Sequence, residues 1–264
     1  PTGQVHIGNI FTALVTERIA HSNNGIFYVR IEDTDTKREV EGAEQLILNA
    51  LSYCNIKNDE GPQIDGKIKG NYTPYTQSKR GDIYKAYIKK LLEEDKAYPC
   101  FCTPEETEAM REEQTKSGIR PGYYGLWAKC RKLSEERIIQ YLDEGKKFVI
   151  RFRSNGSFSN KMSFVDIIRG KRILPENDLD VVILKNDGLP TYHFAHAVDD
   201  HLMGTTIVTR GDEWLISTPL HIQLFEALGF TPPQYLHLAP IQKIDGDAKR
   251  KLSKRTKPNC TSKR

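Results

Sequence analysis

No apolar run in these 264 residues approaches the ~20 needed to cross a bilayer, and no charged-then-apolar leader opens the chain. Neither a membrane partner nor a secretory route is therefore expected. Cysteine is scarce: five residues, an odd number, argue against a disulfide framework and for a reducing, cytoplasmic compartment. Net charge is also small. A formal +4 permits a polyanionic partner without demanding one, whereas a chain dominated by nucleic-acid binding is usually more basic. Internal repeats and low-complexity segments are missing, which excludes a solenoid. There is no initiator Met; the chain opens directly on a motif, so residues upstream are expected.

What remains is the composition of an ordinary globular protein, long enough for one large domain or two small ones. Phe11, Leu14, Val15 and Ile19 share a helical face, and Ser22-Asn23-Asn24-Gly25 stops that helix. Phe27 to Ile31 alternates like a strand and runs into the acidic cluster Glu32-Asp33-Thr34-Asp35. Ala43, Leu46, Ile47, Ala50 and Leu51 mark a second helix; Tyr84, Tyr87, Ile88 and Leu91 mark a third. This alternation suits a parallel α/β framework.

The middle differs. Thr103-Pro104-Glu105-Glu106 has the form of a capping box, and Ser134 can cap another helix that Gly145 ends. Strand-like stretches follow at 148–153, 163–168 and 180–185, separated by Asn155-Gly156, Arg169-Gly170 and Asp187-Gly188. The framework resumes with Thr205 to Arg210, a helix from Thr218-Pro219 to Gly229, and His237-Leu238-Ala239-Pro240. The basic stretch Lys249 to Arg264 lacks a periodic apolar face and reads as a loop.

Three segments carry chemistry. Gly3, His6, Gly8 and Asn9 stand immediately before an amphipathic helix, where glycines let the backbone approach a phosphate and the helix N-terminus favours an anion. Alone, this is most simply a glycine-rich turn. Lys249, Arg250, Lys251, Lys254 and Arg255 form a dense basic run; alone, it is a solvated charge cluster, but two lysines on a short flexible segment can clamp a triphosphate. Arg210-Gly211-Asp212-Glu213-Trp214-Leu215 follows the end of a strand, where open parallel sheets bind ligands. The ordered set outweighs the bland reading of each.

The segments Tyr28 to Asp35, Tyr192 to Gly204 and Arg210 to Leu215, with the two terminal motifs, resemble the glutamyl-tRNA synthetase family of class I aminoacyl-tRNA synthetases over essentially the whole chain. The resemblance implies an α/β fold with a Rossmann-type parallel-sheet catalytic domain and an inserted α+β acceptor-stem-binding domain. Its divisions are 1–97 and 186–243 for the catalytic halves, 98–185 for the insertion, and 244–264 for the KMSKS-type loop and the start of a stem-contact region. It implies ligation of L-glutamate to tRNA-Glu, and possible charging of tRNA-Gln, by a cytoplasmic monomer using ATP and Mg²⁺. His6, Gly8, Lys251 and Lys254 take catalytic roles. Thr2, Gly3, Asn9, Glu213, Trp214 and Ile241 join His6, Gly8 and Lys254 around ATP, and Glu32, Tyr192, His196 and Arg210 bind glutamate. For Arg210 the chemistry agrees, since a guanidinium reads a planar carboxylate with two donors.

Cys100, Cys102 and Cys130 resemble three ligands of a structural zinc site in the insertion, with Tyr124 as candidate fourth ligand. A zinc site and a cluster of buried thiols both remain open. Relatives also carry a strand before Pro1, with an Arg and a Ser on the glutamate, and a helical anticodon-binding region after Arg264. A chain without that strand is expected to be unstable and poorly active; a cooperative urea transition equal to that of an upstream-extended chain would contradict this. Two rival functions are a glutamyl-Q tRNA-Asp synthetase-like paralogue and a non-catalytic tRNA-binding module.

Overall fold

The computed structural model describes residues 5–35, 42–245 and 248–251, with the backbone alone from 243 onward. In chain order the elements are α1 (Ile7–Ser22), α2 (Ala43–Tyr53), β1 (Gly61–Pro62), β2 (Ile68–Lys69), α3 (Gly81–Glu93), β3 (Ala97–Cys100), α4 (Pro104–Lys116), α5 (Glu135–Asp143), β4 (Val149–Phe152), β5 (Lys161–Asp166), β6 (Gly170–Pro175), β7 (Val182–Leu184), α6 (Tyr192–Leu202), β8 (Ile207–Gly211), α7 (Thr218–Leu228), β9 (Gln234–Leu238), β10 (Gln242–Asp245) and β11 (Ala248–Lys251). The architecture is α/β with mixed sheets.

Local rules account for most helix ends. At α4, Thr103 accepts from the Glu106 N–H while the Glu106 carboxylate accepts from the Thr103 N–H, with Pro104 opening the helix. Ser134 caps α5 through the Arg137 N–H. Gly229 ends α7 at φ 79°, a left-handed conformation that a side chain would strain.

Two sheets organise the chain. In the four-stranded sheet, ordered β6-β5-β9-β8, β8 and β9 run parallel, with α7 as their crossover, and β5 joins β9 in parallel at Asp166 and Tyr235. The three-stranded sheet β3-β4-β7 is antiparallel. The main core lies where α3, α6 and α7 cover that second sheet: Tyr84, Leu91, Phe152, Ile183, Phe194, Leu224 and Phe225 are all buried in it. Segments 98–185 and 186–243 thus share apolar contacts. A smaller core packs α1 against α2 through Ile10, Leu14, Ile47 and Leu51.

Several expectations change. Phe27 to Ile31 is not a strand; it makes isolated parallel bridges at Tyr28 with Glu60 and at Ile31 with Thr76, because among the described residues no strand runs long enough beside it to extend the ladder. The apolar face of α1 rotates toward Ile10, Ala13 and Leu14, leaving Phe11 at a cleft. Tyr192 to Leu202 is a helix, and β6 is a strand that sequence periodicity missed. Lys249 to Lys251 belong to β11, hydrogen-bonded to β10, rather than to a loop.

Candidate active site

The carboxyl ends of β8 and β9 and the N-terminus of α1 border a cleft of about 770 Å³. His6, Gly8, Asn9, Arg210, Glu213, Trp214 and Ile241, widely separated in sequence, line it together. The position follows from topology: in open α/β sheets the parallel strands end where a crevice forms. Thr2, Gly3 and Lys254 lie outside the described residues. Lys251 is reached through its backbone alone, opposite Gln242, which directly follows the cleft residue Ile241.

At the head of α1, His6 Nδ1 accepts the Gly8 N–H at 3.0 Å, and Asn9 Oδ1 accepts the His6 N–H at 3.3 Å. A neutral imidazole whose Nδ1 accepts must carry its proton on Nε2, so the outward nitrogen is a donor. Gly8 has a steric role as well, because an added Cβ would stand 3.1 Å from His6 Nδ1. A helix N-terminus with a hydrogen-bond donor above it suits an anion.

Arg210, the fourth residue of β8, is buried. Its Nε donates to His237 Nε2 at 2.9 Å, its Nη1 to His221 Nδ1 at 2.7 Å, and its Nη2 to Thr218 Oγ1 at 2.9 Å. The guanidinium also lies 4.7 Å over the Tyr235 ring. None of these partners is an anion. Burial pulls the Arg210 pKa down, with Tyr192 and Tyr235 acting against it. Burial likewise lowers His221, aided by His196 and Arg210, and lowers His193 to about 4. His221, whose burial disfavours its charged form, thus meets the buried guanidinium, with His193 behind it.

Glu32, Tyr192 and His196 connect to this group through Arg30 and Asp200. Arg30 donates to Glu32 Oε1 at 2.9 Å and to Asp200 Oδ1 at 2.6 Å. Asp200 Oδ2 meets His196 Nδ1 at 2.6 Å, while among the described residues buried His196 Nε2 has no hydrogen-bond partner. Tyr192 stacks on His196 with ring centroids 5.7 Å apart and contacts Trp214 at 4.6 Å. Arg30 and Asp200 lie within the segments Tyr28 to Asp35 and Tyr192 to Gly204, but only the fold reveals their pairing. Asp166, His221 and Tyr235 gave no sequence signal.

The cysteine group is separate from the cleft. The sulfurs of Cys100, Cys102 and Cys130 all lie within 4.8 Å of one another. The phenol oxygen beside these sulfurs is that of Tyr123 rather than Tyr124: Tyr123 Oη stands 3.4 Å from both Cys100 and Cys102, whereas Tyr124 donates to the Arg120 carbonyl at 2.6 Å. The Tyr123 hydroxyl turns to the sulfurs and the Tyr124 hydroxyl to Arg120, which spacing alone does not reveal. Thiol donors from Cys102 and Cys130 push the Cys100 pKa down, against burial. Three sulfurs and a phenol oxygen around one point fit a four-coordinate soft cation.

Residues 1–263 match the model of the class I tRNA synthetases (E and Q), catalytic domain. The chain belongs to this family. It is 52% identical over 258 residues to a glutamate–tRNA ligase of Clostridium perfringens strain 13, which covers 98% of the chain and 47% of that protein. It superposes on a glutamate-tRNA synthetase from Elizabethkingia anophelis with a TM-score of 0.87 at 43% identity, covering 97% of this chain and 51% of that one. An equally similar structure, a glutamate tRNA ligase from Elizabethkingia meningosepticum, is in complex with its amino acid. The chain spans about half the length of these synthetases. None of its described helices is long and apolar enough to cross a membrane.

Proposed function

We propose that this chain is the catalytic portion of a glutamate–tRNA ligase, acting on L-glutamate, ATP and tRNA-Glu. The observation that carries the reading is Arg210, a buried cation with neutral partners at the carboxyl end of a parallel strand, beside a cleft headed by His6. Its missing counter-charge is one that a substrate carboxylate supplies and an amide does not. Glu32, held by Arg30, offers a carboxylate for the ammonium of the amino acid, and Tyr192 and His196 form the aromatic wall.

In this reading the glutamate α-carboxylate attacks the α-phosphate of ATP in line and pyrophosphate leaves; a ribose hydroxyl at the tRNA end then attacks the acyl carbon of the adenylate, losing its proton as AMP departs. The chain contributes position and charge rather than covalent chemistry. His6 Nε2–H donates to phosphate oxygens at the α1 N-terminus, and Glu213, Trp214 and Ile241 border the nucleoside. Lys251 and Lys254 belong to the KMSKS-type loop. Mg²⁺ bound to the phosphates of ATP would supply charge neutralisation.

The same proposal divides the chain into a Rossmann-type domain, 1–97 and 186–243, for which the β8-α7-β9 crossover is support, an acceptor-stem-binding insertion at 98–185, and the 244–264 loop region. Zinc would be held by Cys100, Cys102, Cys130 and Tyr123, where it acts as a structural tie. The protein works as a cytoplasmic monomer.

Glutamate-dependent ATP–pyrophosphate exchange, with tRNA present, is the deciding assay. No exchange from the full-length gene product would end the ligase reading. Arg210→Ala is expected to raise the KM for glutamate on the order of tenfold to a hundredfold, and unchanged kinetics would remove Arg210 from the site. Transfer to tRNA-Glu against tRNA-Asp separates the paralogue reading.

A further inference from the structure

Arg210 and His237 are register partners on β8 and β9, and Asp166, the last residue of β5, lies behind them. All three are buried. The hydrogen bonds among them have one consistent direction. A guanidinium carries only donors, so Arg210 Nε makes His237 Nε2 an acceptor at 2.9 Å. His237 therefore carries its proton on Nδ1 and donates it to Asp166 Oδ2 at 2.6 Å. Asp166 is itself held as an acceptor by three backbone N–H groups, from His237 onto Oδ2 at 3.0 Å and from Ile168 and Arg169 onto Oδ1 at 3.2 and 2.9 Å.

Arg30 and Arg80 are each paired directly with a carboxylate, Arg30 with Asp200 and Arg80 with Asp199, whereas buried Arg151 donates to the Asp180 carbonyl. At Arg210 the carboxylate stands one residue back, with an imidazole between. That interposition orients the guanidinium without neutralising it. A direct Asp–Arg pair would occupy the edge that a ligand needs.

We propose that Asp166 and His237 are a positioning pair, which locks the Arg210 guanidinium in place and keeps its charge available to the substrate carboxylate. This rests on the glutamate reading above. His237 acts as an insulator as well as a support: it transmits orientation from Asp166 while keeping the two charges apart.

Asp166→Asn tests this with little change in shape. The Ile168 and Arg169 N–H groups hold the amide oxygen in the Oδ1 place, which puts the NH₂ against His237 Nδ1 and takes the acceptor away from the His237 backbone N–H. His237 must then accept at Nδ1 and carry its proton on Nε2, facing the Arg210 Nε–H. ¹⁵N NMR of the full-length protein is expected to show an Nδ1–H tautomer in wild type and Nε2–H in the variant. The glutamate dissociation constant should rise on the order of tenfold to a hundredfold, with ATP affinity unchanged. His237→Gln supplies an acceptor for Arg210 whatever stands at 166, so adding Asp166→Asn to it should change glutamate affinity little. An equal loss in both backgrounds would mark Asp166 as merely structural and overturn the proposal. So would an Nε2–H tautomer in wild type. A wild-type protein that binds no glutamate overturns the substrate half together with the ligase reading, and the separately read tautomer tells that failure from the first.

Discussion

Arg30 spans two carboxylates at once, its Nη1 2.6 Å from Asp200 Oδ1 and its Nη2 2.9 Å from Glu32 Oε1. It therefore ties the segment after α1 to helix α6 and orients the acid proposed to meet the substrate ammonium. Asp200 is buried on both sides, with His196 on its second oxygen.

Breaking that pair should be costly. Asp200→Ala leaves Arg30 as a buried cation facing only the partly exposed Glu32 and the more distant Asp199, and an expected loss of about 3–5 kcal/mol follows from removing one partner of a buried pair. Urea unfolding at pH 7 measures it. Burial raises the Asp200 pKa, but His196 and Arg30 outweigh it and hold the carboxyl well below the usual range. Its folded pKa is depressed, so its stabilisation is present above the unfolded value of about 4 and is lost as pH falls below that. The difference between wild type and Asp200→Ala should shrink below about pH 4.

His6 combines two roles that one substitution separates. Asn is a good helix cap, so His6→Asn should keep α1 stable while removing the Nε2 donor. Pyrophosphate exchange should fall on the order of 10²-fold, the usual scale for one donor at a charged transition state, with the thermal midpoint little changed. A melting loss that accounts for the activity loss would contradict the donor role. Gly8→Ala should lower both, because its Cβ presses on the His6 ring.

For the cysteine group, elemental analysis of purified protein should find one zinc per chain. Tyr123→Phe should weaken retention against a chelator, whereas Tyr124→Phe should not, since Tyr124 bonds the Arg120 carbonyl instead. Equal retention in both variants would remove Tyr123 from the ligand set.

Acid should destabilise the histidine cluster. Burial, and then His196 and Arg210, lower His193 to about 4. The unfolded chain takes up this proton near pH 6.5, so stability is lost as pH falls from about 6.5 toward 4. His193→Gln, which can still accept from His221 Nε2 at the 2.8 Å contact, should flatten that part of the curve. A slope unchanged by the substitution would place the proton uptake elsewhere.

The parts legible in sequence were those governed by neighbours a few residues apart. The Thr103 box, the Ser134 cap and the Gly229 stop follow from local hydrogen bonding and backbone freedom, and each appears in the fold. The cleft residues were found because their motifs are contiguous, although nothing local says that Ile241 and Asn9 share a wall. Phe27 to Ile31 alternates correctly yet lacks the pairing that makes alternation a strand, since a strand is a property of two segments. Tyr123 and Tyr124 are chemically identical, so choosing between them requires the backbone direction. Asp166, 71 residues from His237, acquires meaning only through sheet order.

The pairing of β8 with β9 places Arg210 opposite His237, with Thr209 opposite Leu236 and Gly211 opposite Leu238. A slip of one residue would set a leucine against Arg210 and turn the guanidinium to the other face. The selecting charge thus has no intermediate setting. If Arg210 selects glutamate as proposed, a chain that has formed its helices but not yet closed this ladder could not tell glutamate from glutamine, so that discrimination should arise only once β8 and β9 pair. Hydrogen exchange along β9 and recovery of glutamate selectivity during refolding should follow the same time course.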